Sequence, residues 1–247
     1  MGGNDLLELI TPFTALGQII QEEIEMKKYF LMVALVLLMI SGMKTGAVAQ
    51  DQVLMDVNMF KNVSSKGESY GISFGLSNDA LKKVSKVYIK GPRGARILVN
   101  NTLNLNDMVL SAVNLSLDEF NRWFPEGNYK ITFSPPVFGK LAVQMTHNFP
   151  STPAVLYPLE GSKDVPTNPI ITWAPITGVI GLQLQLKDDA DFAFSTGLPI
   201  NATSYAVPAN LLKPNTRYEL SLGARTTVSD GNGLITTMII SFTTVAP

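Results

Sequence analysis

Leucine and glutamine alternate strictly over Leu182, Gln183, Leu184, Gln185 and Leu186. A period of two places the leucines on one face of a strand and the glutamines on the other. Tyr218, Leu220 and Leu222 repeat the pattern, interleaved with Glu219, Ser221 and Gly223. A further strand is expected over residues 238–242, after the turn signal Asp230, Gly231, Asn232, Gly233. Ile170, Ile171, Thr172 and Trp173 form a β-branched and aromatic run behind Pro169. In the preceding half, residues 84–90, the turn Gly91-Pro92-Arg93-Gly94 and residues 95–99 predict a hairpin. Ser116, Leu117, Asp118 and Glu119 fit a capping box that opens a short helix through Trp123. Several short strands at this spacing, with no sustained helical period in the second half, predict an all-β chain.

Leu212, Pro214, Thr216 and Tyr218 make an L-x-P-x-T-x-Y pattern that runs on into Glu219-Leu220-Ser221-Leu222-Gly223-Ala224. Together with Trp173 in the run ITWAP and a closing strand through Ser241, Phe242, Thr243 and Thr244, it resembles a fibronectin type III domain over about residues 153–245. The resemblance implies a β-sandwich in which Tyr218 turns its ring into the core and returns its hydroxyl to upstream backbone. It implies nothing about function. The stretch FPEGNY-KITF, residues 124–133, echoes the same order of proline, turn, tyrosine and alternating strand. Tyr129 and Tyr218 stand 89 residues apart, close to one immunoglobulin-like repeat of about 100 residues. The expected organisation is therefore two tandem immunoglobulin-like β-sandwiches, at residues 51–149 and 153–247. The run Phe149-Pro150-Ser151-Thr152-Pro153 would be a short stiff linker between them. A non-homologous β-domain is the alternative for the first half.

Residues 26–50 read MKKYFLMVALVLLMISGMKTGAVAQ. Two lysines, an apolar run from Tyr29 to Ile40 and the small residues Ala47-Val48-Ala49 have the layout of a secretory signal peptide, residues 26–49, cut after Ala49. The run falls short of the ~20 apolar residues that span a bilayer, so no stable membrane insertion is expected after cleavage. An uncleaved anchor is the alternative. Residues 1–25 read as an over-extended start, with Met26 the true one, or as a leader. The expected localisation is bacterial and exported: periplasmic, cell-surface or secreted.

Composition narrows the function classes. Lys and Arg number 19 against 20 Asp and Glu, which lacks the basic field of a nucleic-acid binder. Zero cysteines remove disulfides, thiol catalysis and cysteine-ligated metal. The single histidine, His147, would have to serve any Ser-His-Asp triad, and no G-x-S-x-G accompanies it. No catalytic residue, cofactor or metal is expected, and the chain is not read as an enzyme. Asp188, Asp189 and Asp191 could offer oxygen ligands to calcium, although the rest of a ligand set is missing, and a solvated turn is the plainer reading.

Lys82, Lys83, Lys86, Lys90, Arg93 and Arg96 form a basic cluster on the predicted hairpin. Lys86 and Lys90 share a face, as residues four apart do in a strand. Lys86, Lys90, Arg93 and Arg96 are the candidate interaction surface, for a protein or an anionic envelope polysaccharide. The competing explanation is that lysines on an exposed strand discourage edge pairing. The expected function is non-catalytic binding, adhesion or structural spacing in the cell envelope or outside the cell. A carbohydrate-binding accessory module would need exposed aromatics in a row. Tyr70, Tyr88, Trp123 and Tyr129 are the candidates for it, with Trp123 expected in the core of its helix. A small hydrolase ranks last.

Overall fold

The computed structural model describes residues 54–190, 192–228 and 232–246. The proposed leader, signal segment and cleavage site lie outside these residues, as do Asp191, Asp230 and Gly231. The described chain is all-β with one α-helix. Strands β1 (Leu54–Ser64) and β2 (Gly67–Ser77) form a long antiparallel hairpin, closed by Gly67 at a φ of 115°. Then come β3 (Lys86–Lys90), β4 (Arg96–Asn100), β5 (Asp107–Leu115), helix α1 (Leu117–Trp123), β6 (Gly127–Ser134) and β7 (Leu141–Met145). The second half holds β8 (Val155–Tyr157), β9 (Ser162–Val165), β10 (Ile170–Trp173), β11 (Gly181–Asp188), β12 (Ala193–Leu198), β13 (Ser204–Ala206), β14 (Arg217–Val228) and β15 (Asn232–Thr244).

These strands build three sheets. A four-stranded sheet runs β4-β3-β6-β7, and a three-stranded sheet runs β13-β10-β8. The third runs β12-β11-β14-β15-β1-β2-β5, with β9 also on β15, and so passes through both halves of the chain. β14 covers one side of β15, while the other side is divided. β1 pairs in parallel from Asn58↔Gly233 to Val63↔Met238, and β9 pairs at Phe242 and Thr244.

Two cores lie on one face of this long sheet. The first packs Val57, Met59, Ile72 and Phe74 against Val87, Ile89, Ile131 and Val143 of the four-stranded sheet. The second packs Leu184, Leu186, Leu220, Leu222 and Phe242 against Ile171 and Trp173 of the three-stranded sheet. β15 serves both. Leu234 enters the first core, while Ile240 and Phe242 enter the second. Between them Thr236 is fully buried and donates its hydroxyl hydrogen to the Pro150 carbonyl at 2.7 Å. Phe149 packs on the first core, its ring 5.8 Å from that of Tyr70. The segment expected as a short stiff linker is thus seated on the sheet at the line where the cores part.

Local chemistry explains the elements. In α1 the Ser116 hydroxyl accepts from the Glu119 amide while the Glu119 carboxylate accepts from the Ser116 amide, a complete capping box. Phe120 is its buried residue, and Phe124, the C-cap just past its end, is buried too. Trp123, between them in sequence, is 62% exposed with the Arg122 guanidinium 6.0 Å from its ring, which corrects its expected place in the core. In β11 the leucines are buried as the alternation requires, but Gln185 is buried too, between Ser195 and Ser221 of the flanking strands.

The two tyrosines behave alike. The Tyr218 hydroxyl accepts from the Lys213 amide at 2.8 Å, and the Tyr129 hydroxyl donates to the Pro125 carbonyl at 2.9 Å. Each ring is buried and ties the start of its strand to the turn before it.

Candidate functional site

The site is the outward face of the four-stranded sheet. β3 alternates cleanly: Val87 and Ile89 are buried, while Lys86 and Lys90 are exposed with Tyr88 half-buried between them. The hairpin closes through a tight turn in which the Gly91 amide donates to the Ala95 carbonyl at 2.8 Å. Arg93 sits in that turn at a φ of 51° and is exposed, next to Gly94 at 82°. A Cβ built on Gly91 would lie 2.3 Å from the Tyr129 ring, so the turn rests directly on the tyrosine of β6.

The sheet pairing then adds a residue that the sequence reading missed. Lys90 lies opposite Arg96 of β4 on one side and Lys130 of β6 on the other. Arg96, Lys90 and Lys130 therefore stand abreast on three strands, all exposed. The next outward row is Leu98, Tyr88 and Thr132, and the third is Asn100, Lys86 and Ser134. Ala142 and Gln144 of β7 and Asn128 of β6 complete the face. No outward position on these strands carries a carboxylate. Among the described residues, Lys86, Lys90, Arg93, Arg96 and Lys130 make no ion pair. Lys82, by contrast, lies on the turn before β3 and pairs with Asp79 at 3.2 Å.

Like charges directly opposite on neighbouring strands repel. The arrangement also bears on edge protection. β3 and β6 are interior strands of this sheet, so Lys86, Lys90 and Lys130 guard no edge; only Arg96 stands on an edge strand. The signal for Lys130 was present in the sequence. Tyr129, Ile131 and Phe133 point inward, which turns Lys130 outward, but its place beside Lys90 needs the non-local β3–β6 pairing.

The remaining candidates fall elsewhere. Tyr70 and Tyr129 are buried, and Tyr70 donates its hydroxyl to Glu68 at 2.6 Å, so the four aromatics do not line one surface. The His147 Nε2 hydrogen bonds to the Phe124 carbonyl at 2.9 Å, and its ring packs 4.8 Å from Phe120. Burial holds the His147 pKa below the usual imidazole value, with the nearby Glu126 carboxylate opposing the shift.

The Asp188 side chain is 2% exposed. One of its oxygens accepts from the Ala190 and Phe192 amides, at 2.9 and 2.8 Å, and the other lies 3.9 Å from the Lys213 ammonium. Asp189 faces Arg217 at 4.0 Å. The two described acids of this loop thus face the cations of the Tyr218 corner. Among the described residues no group of three His, Cys, Asp or Glu side chains could hold a metal ion. No described helix is long and apolar enough to cross a membrane. No family model matches the chain, and a search of curated proteins finds no significant relative.

Proposed function

We propose that the chain is an exported, non-catalytic binding or structural module of the bacterial cell envelope or exterior. Its two cores are read as immunoglobulin-like sandwiches, the second resembling fibronectin type III, and its contact surface is the basic face of β4-β3-β6-β7. One observation carries the binding reading: among the described residues three cations stand abreast with no ion pair, two of them on strands that have no edge to defend. A partner of opposite charge would relieve the repulsion that the free sheet bears, and the attraction would steer association.

The test is direct. The purified protein is immobilised and offered solubilised envelope proteins and insoluble envelope polysaccharide at low and moderate salt. A five-fold variant with Lys86, Lys90, Arg93, Arg96 and Lys130 changed to glutamine is run beside it. The reading requires salt-sensitive capture that the variant loses. Capture that the variant retains in full moves the contact surface elsewhere, and no capture at all leaves the module without a binding role.

A further inference from the structure

We infer that the ligand of this face is a linear polyuronate, a glycan with one carboxylate on each sugar residue, lying across the strands. The inference rests on the binding reading above and deepens it. Neighbouring strands are about 4.8 Å apart, so Arg96, Lys90 and Lys130 repeat positive charge at that interval over about 10 Å. Successive residues of an extended polyuronate turn their carboxylates to alternate sides. Those on one side recur every second sugar, close to the two-strand span of about 10 Å from Arg96 to Lys130, with Lys90 between them.

The surrounding side chains suit the rest of such a ligand. Two residues further along each strand, about 6.8 Å away, Tyr88 and Leu98 offer an apolar and aromatic patch to the C–H face of a sugar ring. Asn100, Asn128, Thr132, Ser134 and Gln144 offer amides and hydroxyls for sugar hydroxyl groups. Arg96 supplies a fork that takes a carboxylate in two hydrogen bonds, while Lys90 and Lys130 act as point charges.

Other polyanions fit less well. An acidic peptide gains most from a free strand edge, and two of the three cations, Lys90 and Lys130, sit on interior strands whose backbone groups are paired on both sides. Single-stranded nucleic acid needs several aromatic platforms, and this face has Tyr88 alone.

The experiment titrates the full chain with polygalacturonate oligomers of three and six residues by calorimetry. Fully methyl-esterified oligomer, poly-L-glutamate of matched charge and a 20-residue oligodeoxynucleotide are the comparison probes. The expected result is binding of the six-residue oligomer that weakens with salt, with no binding of its ester. Lys90→Gln and Lys130→Gln should each weaken it by about five-fold, the size of one well-placed exposed ion pair, and Lys163→Gln should leave it unchanged. Thermal midpoints of Lys90→Gln and Lys130→Gln that equal or exceed wild type separate lost contact from lost folding. Equal binding by poly-L-glutamate or the oligonucleotide overturns the glycan assignment. Binding that Lys90→Gln and Lys130→Gln leave intact overturns the site. Envelope capture with every polyuronate arm blank overturns the ligand while the binding reading stands; blanks in both remove both.

Discussion

Tyr218 and Tyr129 each close a turn with one hydroxyl, and the two bonds run in opposite directions. The Tyr218 oxygen accepts from the Lys213 amide, while the Tyr129 hydroxyl donates to the Pro125 carbonyl. Tyr218→Phe therefore strands a half-buried backbone N–H, and a donor left without its partner costs up to about 1–3 kcal/mol. Tyr129→Phe strands a carbonyl, which is more easily re-satisfied, and should cost less. Urea denaturation checks both: the midpoint should fall in that order with an unchanged slope.

His147 adds a pH dependence. Its folded pKa lies below the ordinary imidazole value of 6.5, so the unfolded chain binds the proton more readily. Its contribution is complete above pH 6.5 and is lost as the pH falls through the folded value. The thermal midpoint should decline as the pH falls below about 6.5, and His147→Gln should flatten that decline. Glu68, Asp79 and Glu119 are also held below their ordinary carboxylate values of 4.5, 3.8 and 4.5, so their losses begin lower on the pH scale.

At the scale of elements, the β3–β4 hairpin holds two opposed tendencies. Its turn is tightly seated, because any side chain at Gly91 meets the Tyr129 ring. Gly91→Ala must push that ring or tilt the turn, and overpacking of this kind costs about 1–3 kcal/mol. Its outward face repels itself, so Lys90→Gln should hold or raise the thermal midpoint even as binding weakens. Scanning calorimetry on the two variants should move them in opposite directions.

This hairpin also shows how far the sequence reaches. Alternation of Val87 and Ile89 with Lys86, Tyr88 and Lys90 is a local signal, and it placed four of the five cations on one hairpin. Lys130 joins them through a pairing some forty residues away in sequence, and no period reports that. β1 was harder still. Val57, Asn58 and Met59 are consecutive and all buried, because the strand has neighbours on both edges and material on both faces. That pattern erases the period of two. Trp123 failed for a different reason: a two-turn helix has one buried side, and Phe120 with the C-cap Phe124 already covers it.

For the whole molecule, the issue is whether two cores on one sheet unfold together. Six register pairs join β1 to β15, Leu234 of β15 is buried in the first core, and Thr236 ties β15 to Pro150. Arg225 of β14 reaches across β15 to Asn58 of β1 at 3.4 Å, and Asn58 in turn donates to Asp56 at 2.8 Å. Burying one leucine is worth about 1.5–3 kcal/mol. Each net backbone bond adds about 0.5–1.5 kcal/mol. The seam therefore totals several kcal/mol, a large share of the 5–15 kcal/mol that holds an ordinary domain folded. Opening it would also bare two strand edges at once. The two tryptophans make this measurable, since Trp123 lies on α1 against the first core and Trp173 is buried in the second. Trp173→Phe leaves a fluorophore reporting the first half, and Trp123→Phe leaves one reporting the second. With the seam as strong as this, both signals should change at one urea concentration. Leu234→Ala, costing about 2–5 kcal/mol, should move them down together. Two separated transitions, with Leu234→Ala shifting only the Trp123 signal, would mean that the shared sheet joins the halves without coupling them.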